Sequence, residues 1–357
     1  MKKMTMSKTS RQNFITYAMV IVVYVIFQTL SATGNLSSLM QGLLVPLCTY
    51  SILAVSLNLT VGVLGELSLG HAGFMCVGAF SSAFFTACMK DTITNDLLRF
   101  ILAFVVAAVC AGICGILIGI PVLRLKGDYL AIVTLAFGEI IMNIINALYI
   151  GRDENGFHFS MKDSMSLNMS DSGKIIIKGA QGITGTARQS TFTIGIILLL
   201  LTLVVVLNLM NSRSGRAIMS IRDNRIAAES VGIDVTKYKI MAFAISASLA
   251  GLAGCLYAHN LSSLTALPKN FGYNMSIMIL VYVVLGGMAN MRGSIIAAVL
   301  LTIIPELLRE IGEYRMLIYA VIMIVMMIFN WSPKVREWRK AHSIKGAFHK
   351  KNVKEAE

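Results

Sequence analysis

Runs of close to twenty apolar residues recur along the whole of this 357-residue chain. A backbone inside hydrocarbon must satisfy its own N–H and C=O groups, so only helices and closed barrels span a bilayer. These runs are too long and too continuous for the alternating strands of a barrel. The chain therefore reads as an all-α polytopic membrane protein with about ten transmembrane helices. The candidate spans lie at 14–30, 43–61, 73–89, 98–121, 129–149, 191–210, 239–258, 274–288, 293–309 and 314–331. Only 14% of the residues are charged, which is far too few for a soluble chain of this length. The first run, Phe14 to Leu30, is longer than a usual signal-peptide core, and the chain stays hydrophobic after it. It reads as an uncleaved span.

The formal net charge of +13 does not indicate nucleic acid, because the charge lies at the ends of apolar runs. With the N-terminus placed inside, 21 of the 31 Lys and Arg fall on the inner side. That bias predicts both termini in the cytoplasm, and an even number of spans agrees with it. Residues 1–333 then form the transmembrane domain, and 334–357 a basic cytoplasmic tail. On the outer side, 151–190 is polar and rich in Ser, Asp and Gly. It is too short for a domain and reads as a small hairpin or cap.

The densest charged segment between spans is 211–239, NSRSGRAIMSIRDNRIAAESVGIDVTKYK. Ile218, Ile221, Ile226 and Val231 recur among its six basic residues in a short helical pattern that stops at Gly232. Such a segment offers the cytoplasm something to hold. It also fits an ordinary positive-inside loop.

Two further stretches carry polar residues at membrane depth. In VGVLGELSLGHAG (61–73), four glycines, among them Gly65, surround Glu66, Ser68 and His71. Glycine weakens a continuous helix, and ionisable groups at this depth need a cavity or a partner. A broken or re-entrant segment beside a pathway fits. So does a tight helix crossing with a hydrogen-bonded Glu/His pair. In LRLKGDYLAIVTLAFGEII (123–141), Asp128 is placed to cap the helix that follows it. Thr134, Phe137, Gly138 and Glu139 form a small-polar stripe within that helix. The stripe suits either pathway lining or structural pairing. Farther on, Ala242, Ser246, Ala250 and Gly254 make a ladder of small residues for helix packing.

The six cysteines all lie in apolar runs, with no metal-ligand spacing and no expected disulfide. The chain has no GxxxxGK[ST], HExxH or GxSxG, so neither catalysis nor a P-loop is expected.

Five stretches resemble the permease subunits of branched-chain amino-acid ABC importers, of the LivM type. They are LNLTVGVLGELSLGHAGFMCVGAF (57–80), LRLKGDYLAIVTLAFGEI (123–140), 212–258, VVLGGMANMRGSIIAAVLLTIIPELLRE (283–310) and EYRMLIYAVIMIVMMIF (313–329). Together they cover about half the chain in the family's order. The resemblance implies that 211–239 is an ATPase-coupling loop. Ala227, Ala228, Glu229 and Gly232 match the family's Ala-Ala-Glu…Gly pattern, with Arg222 and Asp223 just before it. It implies five partners: a second homologous permease, two ATP-binding subunits, an extracytoplasmic substrate-binding protein and the lipid bilayer. ATP would sit on the partner subunits, with no cofactor on this chain. The implied location is the bacterial cytoplasmic (inner) membrane. Glu66 stands where many relatives carry Gln, and FNWSPKVREW replaces an Arg-Pro-Gln-Gly-Leu-like ending. The family also includes urea and short-amide permeases, which leaves the cargo open. Two readings compete. In one, the chain is a stand-alone secondary transporter with Glu66, His71 and Glu139 as a relay. In the other, it is a scaffold whose glycines only pack.

Overall fold

The computed structural model describes residues 8–34, 36–125, 127–153, 156–169, 173–309 and 314–331. The proposed basic tail, 334–357, lies outside the described residues. The chain divides into two compact units, 1–299 and 300–357.

A helix stands over each of the ten apolar runs. In order these are α1 (Lys8–Ala32), α2 (Ser38–Asn58), α3 (His71–Cys88), α4 (Asp96–Val122), α5 (Asp128–Ala147), α6 (Phe192–Asn211), α9 (Val235–Ala258), α11 (Tyr273–Gly286), α12 (Met291–Leu307) and α13 (Arg315–Trp331). Among the described residues, seven are long and apolar enough to cross a membrane. The other three, α11, α12 and α13, have 14, 17 and 17 residues. Shorter helices α7 (Arg213–Asp223), α8 (Arg225–Ser230) and α10 (Pro268–Phe271) fill the connections.

The fold is mostly helical but not all-α. Residues 149–178 hold a three-stranded antiparallel sheet in the order β2-β1-β3, from β1 (Tyr149–Asp153), β2 (Gly156–Ser160) and β3 (Lys174–Lys178). A small two-stranded pairing joins β4 (Ile183–Thr184) to β5 (Ser263–Leu264). The expected hairpin is therefore larger than the sequence suggested. Its third strand, KIIIK, buries Ile176 and Ile177.

In the first unit α9 is the central helix and packs against α2, α3 and α4. The ladder of small residues explains how. Ala242, Ser246 and Ala250 are buried to within 1%. A Cβ on Gly254 would lie 2.1 Å from the carbonyl oxygen of Met75, and one on Gly251 would lie 2.5 Å from that of Ala107. Such backbone-to-backbone approach is how helices associate where no water drives them together. All six cysteines are free.

Asp128 does not cap α5. Gly127 occupies the cap position with φ +58°, and Asp128 is the first helical residue, with no capping hydrogen bond. Its carboxylate instead sits in the first turn, where negative charge suits the helix dipole.

Candidate functional site

The Gly-rich stretch 61–73 joins two long helices. From α2 the chain runs into one π-helical turn, Leu59–Leu64. π-Turns are uncommon and concentrate at functional sites. Gly65 ends the turn in the left-handed region at φ +82°, where a side chain is costly. Residues 65–70 are irregular, and α3 starts at His71. The expected break is present as a junction between helices.

The basic segment comes down onto this junction. Arg222, in the last turn of α7, donates from Nη1 to the Gly62 carbonyl oxygen at 3.0 Å. Its aliphatic arm lies over Gly65, where a Cβ would come within 2.5 Å of Arg222 Cγ. Lys239, near the start of α9, pairs with Glu66, their side chains 5% and 17% exposed. On the opposite side, a Cβ on Gly62 would meet the backbone N of Ala289 at 2.2 Å. Asn58 Oδ1 accepts that same N–H at 2.8 Å, and Asn58 Nδ2 donates to Ser294 Oγ at 2.8 Å. The π-turn is thus held between the basic segment and the turn that precedes α12.

The polar residues of the junction are paired differently from the expected Glu/His couple. Glu66 takes Lys239, and His71 meets Ser56 Oγ at 2.7 Å through Nε2. The sequence offered no sign of either partner. Ser68 is 1% exposed, and its hydroxyl has no hydrogen-bond partner among the described residues. Thr134 Oγ1 accepts from Leu69 N–H at 3.0 Å. A Cβ on Gly70 would meet Thr134 O at 2.3 Å, and one on Gly73 would meet Gly138 Cα at 2.8 Å. Thr134 and Gly138 therefore serve a close crossing of α5 on the junction, with Phe137 packed on the core beside them. Glu139 stands apart. Its Oε1 accepts the Tyr273 backbone N–H at 2.6 Å, at the start of α11.

The segment 211–239 is two helices, where the sequence suggested one. They meet at Asn224, whose extended backbone ends α7 and whose side chain caps α8 through Ala227 N–H at 3.1 Å. Asp223 Oδ1 accepts from Arg222 Nη2 at 2.9 Å, and Arg225 pairs with Glu229 at 3.0 Å. Ile221, Ala228 and Val235 form a small apolar knot that ties α7, α8 and α9 together. Gly232 turns the chain at φ +85°, the left-handed stop of a helix C-terminus. Two large apolar residues of the segment are left open, Ile226 at 79% and Val231 at 74% exposed.

Residues 39–329 match the family described as branched-chain amino acid transport system / permease component. The chain is 35% identical over 294 residues to the high-affinity branched-chain amino acid transport system permease protein LivM of Salmonella typhimurium, covering 80% of this chain and 67% of that one. It is 33% identical to the Escherichia coli protein of the same name over the same shares. It is also 26% identical over 151 residues to the fructose import permease protein FruG of Bifidobacterium longum, covering 39% of this chain and 43% of that one. No solved structure matches.

Proposed function

Since this chain belongs to the family of branched-chain amino acid transport permease components, we propose that it forms half of the translocation path of an ATP-driven importer for branched-chain amino acids. A second homologous permease completes the path, two ATP-binding subunits bind and hydrolyse ATP, and an extracytoplasmic binding protein delivers the cargo. All ten helices over the apolar runs cross the cytoplasmic membrane in this reading, with both termini inside. Short helices such as α11 need contacts other than lipid at one end.

The observation that carries the reading is the docking of α7 on the π-turn through Arg222 and Gly62. The segment α7–α8 is short, is capped at each start and is knotted to α9. It can therefore move as one body. Ile226 and Val231 offer an apolar contact to a groove of the ATP-binding subunit. When the two ATPases close, the displacement of α8 passes through Arg222 and Lys239 to the junction at 59–66. The junction lies between α2 and α3, so its displacement tilts the helices that bound the path. Glu229 and Gly232 act in this reading by keeping α8 stiff and correctly aimed.

The test is a mild-detergent purification of the chain with its associated subunits, followed by ATPase assay with candidate binding protein and leucine, isoleucine or valine. Recovery of a second permease and two ATPases, with stimulation by a branched-chain amino acid, supports the whole reading. The same subunits stimulated only by urea, a short amide or fructose keep the architecture and replace the cargo. Recovery of the chain alone, under conditions that preserve other complexes, overturns it.

A further inference from the structure

Helix α5 has two contrasting faces. Thr134 and Gly138 are sunk against residues 69–73. On the other side Ile132, Ala136, Ile140 and Asn143 are exposed, with Ile132 at 62% and Ile140 at 51%. That open side is not uniformly apolar. Asn143 donates from Nδ2 to the Glu139 carbonyl at 2.8 Å, and the Glu139 carboxylate lies about half-way along the helix.

Through Glu139 the structure also fixes the depth at which α11 begins. The Glu139–Tyr273 hydrogen bond puts the first turn of α11 beside the middle of α5. With 14 residues, α11 is about 21 Å long, against about 30 Å of hydrocarbon. A helix that begins at this depth must find partners for its first amides outside its own turns, as the Tyr273 N–H does on Glu139. Backbone of that kind is tolerated inside a membrane only within protein or against water. Protein covers one side of this turn through the buried Phe271, Gly272, Met275 and Ser276, while Tyr273, at 47% exposed, and Asn274 lie open, and a polar Asn274 at this depth calls for water or a partner. Helix α4 gives the contrast. Its outward residues Ile101, Val105, Val109, Ile113 and Leu117 are exposed and apolar throughout, which is what lipid requires.

We propose that the open face of α5 and the first turn of α11 are the water-facing wall of the path, closed from the other side by a second permease chain, while α4 faces lipid. The wall is thus the side of α5 away from Thr134 and Gly138. This rests on the two-permease reading above. Glu139 belongs to the wall as the cap of α11, with its carboxylate toward the water.

Single cysteines test the assignment. Ala136→Cys, Ile140→Cys and Ile277→Cys probe the wall, and Val105→Cys, Val109→Cys and Ile113→Cys probe α4. The two partly exposed native cysteines, Cys110 and Cys114, are replaced by Ala. The probe is a charged, membrane-impermeant methanethiosulfonate, applied to the assembled importer in proteoliposomes. The wall positions are expected to react at least ten-fold faster than the α4 positions, and Ile140→Cys to form a crosslink to the second permease with a short bismaleimide. Assembled complexes in which the wall cysteines react no faster than those on α4 overturn the wall and leave the importer standing. Recovery of the chain without any second permease removes both.

Discussion

Arg222 donates a 3.0 Å hydrogen bond from Nη1 to the carbonyl oxygen of Gly62, 160 residues earlier in the chain. The carbonyl belongs to the π-turn and the guanidinium to the end of α7. A charged donor on a backbone carbonyl is worth about 1.5–3 kcal/mol. If displacement of the basic segment reaches the junction through this bond, Arg222→Ala lowers uptake per ATP hydrolysed by roughly ten-fold or more. Subunit assembly is expected to survive, because the knot of Ile221, Ala228 and Val235 is untouched. Reconstituted transport and ATPase rates measured on the same sample check this. An unchanged ratio would show that the bond only positions the loop.

The second tie between the two motifs is ionic. Lys239 and Glu66 are both largely buried, so removing one partner leaves a charge without its counterion. Lys239→Ala is expected to cost about 3–5 kcal/mol, seen as loss of monodisperse protein on mild heating in detergent. Lys239→Met combined with Glu66→Gln removes both charges and should recover most of the loss. A double variant as unstable as Lys239→Ala would mean that the pair contributes through the lysine's packing rather than through charge.

These ties also mark where reading by sequence stops. The helices were legible because each is a sustained apolar run, and the junction because four glycines interrupt one. Composition signals of this kind are local. The partners of Glu66 and Glu139 are not, since 173 residues separate Glu66 from Lys239 and 134 separate Glu139 from Tyr273. Asp128 misled for a local reason: the left-handed Gly127 takes the cap position that its side chain would have filled. Thr134 and Gly138 fit either pathway lining or structural pairing by residue type. The close crossing they make is visible only in three dimensions, through the approach of Gly70 and Gly73. The division of the basic segment at Asn224 was hidden by an apolar pattern that runs through both helices.

Acid should weaken the first unit around His259, the residue after α9. It is fully buried, close to Thr86 Oγ1 at 3.0 Å and the Cys255 carbonyl at 3.0 Å. Burial pushes its pKa below the ordinary value of 6.5, and the neighbouring Arg99 acts in the same direction. The unfolded chain then binds a proton that the folded chain does not. Stability is therefore complete above pH ~6.5 and is lost as the pH falls below it. Thermal unfolding followed between pH 8 and 5 should show this loss, and His259→Gln should flatten the lower limb. An equal slope in that variant would assign the acid sensitivity to other groups.

Close helix contact in the first unit depends on glycines that face backbone. A Cβ at position 78 would lie 2.3 Å from the Gly251 carbonyl oxygen, and one at 254 would lie 2.1 Å from that of Met75. Neither obstacle is a flexible side chain, so helices must separate to admit a methyl group. Gly78→Ala and Gly254→Ala should each cost about 1–3 kcal/mol, the usual range for overpacking. Gly42, exposed in α2 with nothing within 4 Å of the added carbon, supplies the control. There Ala should be neutral or slightly stabilising, because it favours helix over glycine by up to about 1 kcal/mol. Folded yield and heat resistance in detergent, compared across the three variants, separate the two cases. Equal behaviour at positions 42 and 254 would mean that α9 can shift away from α3 at little cost, and that the helix at the centre of the unit is not fixed by its small residues.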